Sequence, residues 1–200
     1  PDVVVVVAYG KILPDKLLNI KDIKFINVHA SLLPKWRGAA PIQRSIMNLD
    51  EETGISIMKI VSKLDAGPVM MKSKINLSKD DNYESVNKAL SILGAKMIVD
   101  SLKLIEQNKS KFIEQDENLA SYAQKINKSE AKINWNEKAK KIIAKINAFY
   151  PSPGSWFKHN GSRVKITKAQ ERSFKGKPGE ILKENFTIAC AENSIEILEL

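Results

Sequence analysis

The sequence is short of the residues on which several chemistries depend. A single cysteine, Cys190, leaves no partner for an internal disulfide and suits a reducing compartment. Only two histidines, His29 and His159, join it, far apart in the chain, so no zinc-type ligand spacing exists and no metal is expected. Long apolar runs are also missing. The longest, Val3 to Ala8, is the length of a strand, which excludes a membrane-spanning helix of ~20 residues. There is no G-x-x-x-x-G-K-[ST] loop to cradle phosphates, no G-x-G-x-x-G and no G-x-S-x-G nucleophile turn. No internal repeat and no secretory leader pattern is read, and with the lone cysteine this points to the cytoplasm.

What is present is an ordinary globular composition, 43% apolar and 28% charged in 200 residues. The net charge of +9 is unevenly spread. Residues 125–177 hold 14 Lys and Arg against Glu130, Glu137 and Glu171, with Lys138, Lys140, Lys141 and Lys145 close together. Such a block suggests a polyanionic partner, although a general preference for lysine would leave the same mark.

Val3 to Ala8 is a β-branched run without polar alternation, predicting a strand buried on both faces of a parallel sheet. A short helix is predicted from Pro14, strands over Lys24–Ala30, Thr53–Ile60 and Pro68–Leu77, and a helix over Ala39–Asn48 with Pro41 in its first turn. Asp81, with Glu84 three residues on, predicts the start of a longer helix. Its Val86, Leu90, Leu93, Met97, Leu102 and Ile105 share one face. Strands alternating with helices predict an α/β, Rossmann-like domain over residues 1–107 with a mainly parallel sheet. Residues 108–127 are polar and aperiodic and read as a linker. Over 128–200, a helix capped by Asn136 is followed by short strands, among them a hairpin at Asn160-Gly161, predicting a small, OB-like β-barrel.

Asn27, His29 and Ser31 alternate at the end of a predicted strand, so Asn27 and His29 point the same way where α/β sheets bind ligands. An isolated histidine is more often a satisfied core residue, and an Asp before Ala66-Gly67, as Asp65 is, more often serves a turn. Together the three form a coherent set: an amide donor, a titratable ring and a carboxylate.

The segment Asn27-Val28-His29-Ala30-Ser31-Leu32-Leu33-Pro34-Lys35-Trp36-Arg37-Gly38-Ala39-Ala40-Pro41-Ile42-Gln43 resembles the signature of the 10-formyltetrahydrofolate-dependent formyltransferases. The resemblance places the family's Asn, His and Asp at Asn27, His29 and Asp65, the last in Leu64-Asp65-Ala66-Gly67. Val6 to Pro14, Trp36 to Arg44, Tyr122 to Ile126, Ile133 to Trp135 and Pro178 to Leu182 resemble the branch of the family that acts on methionyl-tRNA. It covers essentially the whole chain, and implies that the family's opening portion and the extreme C-terminus lie outside it.

The resemblance implies a cytoplasmic, monomeric enzyme that moves the formyl group of 10-formyltetrahydrofolate to the α-amine of methionyl-initiator tRNA, with no metal and no membrane. The amide of Asn27 and protonated His29 would face the oxyanion of the tetrahedral state, where one such donor is typically worth ~3 kcal/mol. Asp65 would orient His29, favour its charged form and relay a proton. Ser31, Leu32, Leu33 and Pro34 would contact the folate, and the basic barrel would hold the tRNA. The same chemistry on a nucleotide sugar, hydrolysis of the formyl donor, and an RNA-binding module with a degenerate centre are the alternatives.

Overall fold

A computed structural model describes residues 1–182 and 186–200; residues 183–185, within the expected C-terminal domain, lie outside that description. The chain divides into two compact units. The first comprises residues 1–42, 51–76 and 87–125, the second 43–50, 77–86 and 126–200.

β1 (Val3–Val7) is followed by a one-turn helix, α1 (Asp15–Leu18), β2 (Lys24–His29), the two-residue β3 (Arg37–Gly38), α2 (Pro41–Asn48), β4 (Glu52–Lys59) and β5 (Val69–Asn76). The 24-residue α3 (Tyr83–Glu106) and the two-residue β6 (Tyr122–Ala123) come next. In the first unit the sheet order is β1-β2-β4-β5. β1 and β2 run parallel, whereas β2–β4 and β4–β5 are antiparallel. The α/β class stands, but the sheet is mixed rather than mainly parallel. Hydrophobic pattern carries no direction, and the short connection from β4 to β5 favours a hairpin. Among the described residues β1 pairs with β2 alone, and Val7 is 60% exposed.

α3 buries a stripe of Val86, Leu90, Gly94, Met97, Ser101 and Ile105, steps of three and four residues, with Leu93 and Leu102 half-buried beside it. Gly94 lets the helix lie against Val28 of β2 and Ile55 of β4. Its start lies one residue beyond the expected place. Asn82 Oδ1 accepts from the Ser85 N–H at 3.0 Å, and the Asn82 N–H donates back to Ser85 Oγ at 3.2 Å. Asp81 Oδ2 accepts from the N–H and hydroxyl of Ser78 in the preceding turn, and its Oδ1 accepts from the Ser85 hydroxyl at 2.8 Å. Ser85 makes the reciprocal bond that Glu84 was expected to make.

The segment expected to be a linker is, as far as Lys125, part of the first unit. Ile113 bridges to Val69, a short 3₁₀ turn spans Glu117–Leu119, and β6 pairs in parallel with β3. Its aperiodicity reflects an irregular strap whose polar side chains bond inward.

The second unit packs α4 (Ala139–Phe149) on the strands β7 (Ser155–His159), β8 (Ser162–Ile166), β9 (Lys168–Arg172), β10 (Ile181–Leu182), β11 (Thr187–Ala189) and β12 (Ser194–Glu199). Ile142 and Ile146 of α4 join Ile133, Ile166, Cys190 and Ile195 in one core. Each of these isoleucines contributes about 1.5–3 kcal/mol on burial. The cap position of α4 is Lys138, not Asn136, whose N–H instead donates to Asn134 Oδ1 at 3.1 Å. β7 and β8 form the expected hairpin, with both Asn160 and Gly161 at positive φ, as a primed turn needs. A second, antiparallel ladder runs β10-β11-β12-β9. β8 continues into β9 across Thr167, so one bent strand serves both ladders. Among the described residues the pairing is a hairpin and a four-stranded sheet, not a closed ring.

Three of the four clustered lysines are engaged within this unit. Lys138 pairs with Glu192 at 2.6 Å, Lys145 with Glu137 at 3.1 Å, and Lys141 reaches the carbonyls of Met47 and Asn48. That group is therefore not the free basic surface its sequence suggests.

Candidate active site

Strand alternation sets the geometry. Val28 faces α3, so Asn27 and His29, of opposite parity, face away from it. His29 stands beside Ser56 in the β2–β4 register, and Asn27 beside Met58. Ser56 Oγ donates to the Ser31 carbonyl at 2.7 Å and accepts from the Leu33 N–H at 3.1 Å, tying the loop after β2 to the sheet.

His29 is 5% exposed. Its Nε2 lies 2.9 Å from the Trp36 carbonyl. A carbonyl only accepts, so Nε2 carries a proton and donates. On the other side of the ring, Nδ1 lies 3.6 Å from Asp65 Oδ2, a charge contact longer than a hydrogen bond. Acceptor oxygens thus lie on both sides of the ring. Asp65 Oδ2 also accepts from the Gly38 N–H at 2.8 Å. The Asn27 amide is half-buried on the same face and makes no hydrogen bond among the described residues.

The loop that aims these groups is held by the strap. Trp36 has φ 61°, a left-handed backbone unusual for a bulky residue. Its N–H donates to Ser121 Oγ at 3.0 Å, and the Arg37 N–H donates to the Ser121 carbonyl at 2.9 Å. Gly38, at φ 118°, passes so close to the Ala123 carbonyl that no side chain would fit.

Arg37 is fully buried, an unusual place for a guanidinium. Its forked head meets Glu117 through two bonds of 3.2 and 2.8 Å, and Gln115 Oε1 through Nε and Nη2 at 3.1 and 2.9 Å. Lys63 adds a third contact to Glu117 at 2.5 Å. Hydrogen bonds from Arg37 and then Lys63 hold the Glu117 carboxyl well below its ordinary 4.5, at about 2. Gln115 Nε2 donates to the carbonyls of Asp65 and Gly67 at 2.9 and 2.7 Å.

The structure brings His29 and Asp65 together and leaves Asn27 on their face. It splits the other four expected residues. Ser31 and Leu33 are buried, Ser31 Oγ donating to the Lys35 carbonyl at 2.6 Å and Leu33 packing with Met58 and Val69. Leu32 and Pro34 are half-buried. His159 is exposed in the hairpin turn. Gln115, Glu117 and Ser121 escaped sequence reasoning because an aperiodic polar stretch offers no face. Trp36 and Gly38 act through their main chain, which no side-chain pattern reveals. Among the described residues there is no group of three His, Cys, Asp or Glu able to hold a metal, and no helix long and apolar enough to cross a membrane.

Two family models match the chain: "Formyl transferase" over residues 1–102 and "Formyl transferase, C-terminal domain" over 125–200. A methionyl-tRNA formyltransferase of Pelagibacter ubique is 51% identical over 200 residues, all of this chain and 64% of the relative. One from Paracoccus denitrificans is 41% identical over 198 residues, 99% of this chain and 65% of the relative. The chain therefore spans just under two thirds of the length of these curated relatives. Among solved structures, WlaRD, a sugar 3N-formyl transferase crystallised with dTDP and 5-N-formyl-THF, superposes with a TM-score of 0.80 at 21% identity, over 98% of this chain and 72% of that one. With a family model matched to each end, and a buried His29 facing Asp65 inside the first match, the chain belongs to the formyl transferase family.

Proposed function

We propose that the protein to which this chain belongs transfers the formyl group of 10-formyltetrahydrofolate to the α-amino group of methionyl-initiator tRNA, for use in translation initiation in the cytoplasm. The observation that carries the chemistry is the His29–Asp65 pair, beside an unengaged Asn27 amide on one face of β2. The tRNA acceptor is supported by relatives of that name at 40–51% identity, which match 84–100% of the chain.

In this reading the amine attacks the formyl carbon, negative charge grows on the formyl oxygen, and the folate nitrogen leaves as it gains a proton. The Asn27 amide is the donor free to meet that oxygen. His29 can join it through Nε2 only when the Trp36 carbonyl gives way, because that nitrogen is engaged. Asp65 orients the ring through Nδ1 and takes the proton the amine must lose, then passes it to the folate nitrogen as that nitrogen leaves. For the donor, Leu32 and Pro34 supply apolar contact and the loop main chain its polar edges, while Ser31 and Leu33 hold that loop from inside. The transfer chemistry belongs to residues 1–107 and the contact with tRNA to 128–200, in a monomer.

The test uses the full-length protein with formyl-labelled 10-formyltetrahydrofolate, offering charged initiator tRNA and, separately, an amino-sugar nucleotide. Label on methionyl-tRNA supports the reading. Label only on the sugar, or only released as formate, refutes it.

A further inference from the structure

We propose that Gln115 is a positioning residue for the formyl transfer centre: through the backbone of the Asp65 turn it fixes the Asp65 carboxylate against His29 and the Gly38 N–H. The proposal rests on the assignment of His29 and Asp65 to the reaction.

The orientation of the Gln115 amide follows from its neighbours. Arg37 can only donate, so the Gln115 oxygen must face the guanidinium, where it accepts at 3.1 and 2.9 Å. The nitrogen then faces two carbonyls, Asp65 at 2.9 Å and Gly67 at 2.7 Å, and its two protons satisfy both. Every hydrogen-bonding position of the amide is used. The guanidinium itself cannot drift, because it is fully buried and forked onto Glu117. A rigid base therefore sits under a turn that requires support, since Asp65 adopts φ 45°, a region non-glycine residues seldom occupy. Residues two apart along that turn accept from one amide, so its backbone is gripped on both sides of Ala66. The carboxylate it presents has two appointments on its far side, the Gly38 N–H at 2.8 Å and His29 Nδ1 at 3.6 Å. The chain of contacts runs from buried cation to amide to turn to carboxylate to ring. Gln115 itself touches neither His29 nor Asn27 by any bond the structure shows. It acts through Asp65.

Gln115→Glu tests this. It nearly preserves shape and keeps an acceptor toward Arg37, but replaces two donors with an anion facing two carbonyls. Gln115→Met removes both the donors and the charge, and guards against a result caused by repulsion alone. In the full-length protein both variants should lower kcat about 10–100-fold, the loss typical of a misplaced reacting group, with KM for folate and tRNA within about threefold. Hydrogen exchange at the Gly38 amide, read without substrates, should quicken about tenfold or more as its carboxylate acceptor moves away. Wild-type kcat in either folded variant overturns the proposal. So does lost activity with Gly38 exchange unchanged, which would mark Gln115 as a general stabiliser of the fold. Should wild-type protein form no formylmethionyl-tRNA, the functional reading fails instead, while the exchange measurement still reports whether Gln115 sets the turn.

Discussion

At the scale of single residues, the proposed chemistry turns on what surrounds one imidazole. His29 donates to the Trp36 carbonyl and faces the Asp65 carboxylate, so both ring nitrogens have acceptors. Asp65→Asn keeps the shape of the turn and an oxygen for the Gly38 N–H but removes the charge beside the ring. We expect turnover in the full-length protein to fall about 100-fold or more, with tRNA affinity within about twofold, measured by single-turnover formylation and filter binding. Wild-type turnover in this variant would remove Asp65 from the mechanism. Asn27, His29 and Asp65 were readable as residues, the first two from alternation and the third only by family likeness. Their partners were not, because a carbonyl at Trp36 and an N–H at Gly38 look alike in any sequence.

Glu117 gives a second expectation. Its carboxyl drops from an ordinary 4.5 to about 2 in the folded protein, chiefly through its bonds to Arg37 and then Lys63. A carboxyl depressed in the fold contributes stability that is present above its unfolded value and is lost as pH falls through the folded one. The contribution should fade between about pH 4.5 and 2. Because Glu117 is half-exposed, the effect is screened and modest. Glu117→Gln should flatten that part of an acid unfolding curve followed by circular dichroism; an identical acid limb would show that the pair contributes nothing there.

At the scale of elements, the strap from Ile113 to Ala123 does what neither regular neighbour can. α3 and the sheet supply a packed frame, and the strap closes the loop after β2 and the turn after β4. The helices and strands themselves were legible, since α3 and α4 bury the faces their spacing predicts. The strap was not, because its bonds are individual and lie about 50–80 residues away in sequence. The direction of β4 and β5 was likewise invisible, as a period of two is the same read either way. The turn after β4 leaves no room at Gly67, where a methyl group would sit 1.9 Å from the Lys59 carbonyl. Gly67→Ala must therefore move the turn that carries Asp65. A loss of about 1–3 kcal/mol in urea unfolding is expected, together with reduced turnover. Unchanged stability and turnover would mean that β4 yields instead.

At the scale of the whole molecule, charge and chemistry are distributed differently along the chain. The residues proposed for transfer lie before residue 125, while the excess of positive charge lies between 125 and 177. Composition showed the excess but not its accessibility. Lys138, Lys141 and Lys145 prove to have partners within the fold, the first two still exposed, whereas Lys158 and Lys168 stand exposed on β7 and β9 and the exposed Arg163 of β8 lies over the Trp156 ring. If tRNA meets this unit, Lys158→Glu with Arg163→Glu should weaken binding and make its logarithmic salt dependence shallower by about 1–2. Replacing Lys145 should leave the slope unchanged. Equal slopes in all variants would place the tRNA contact elsewhere.

The strap also gives the chain an order of events. Strands β1 to β5 and the loop that meets His29 are synthesised before Gln115, Glu117 and Ser121 are added. Until then the Arg37 guanidinium lacks Gln115 and Glu117, the Asp65 turn lacks the Gln115 amide, and the Trp36 N–H lacks the Ser121 hydroxyl. A nascent chain ending before residue 113 lacks these contacts, so the proposed transfer centre is completed only once the strap has been made.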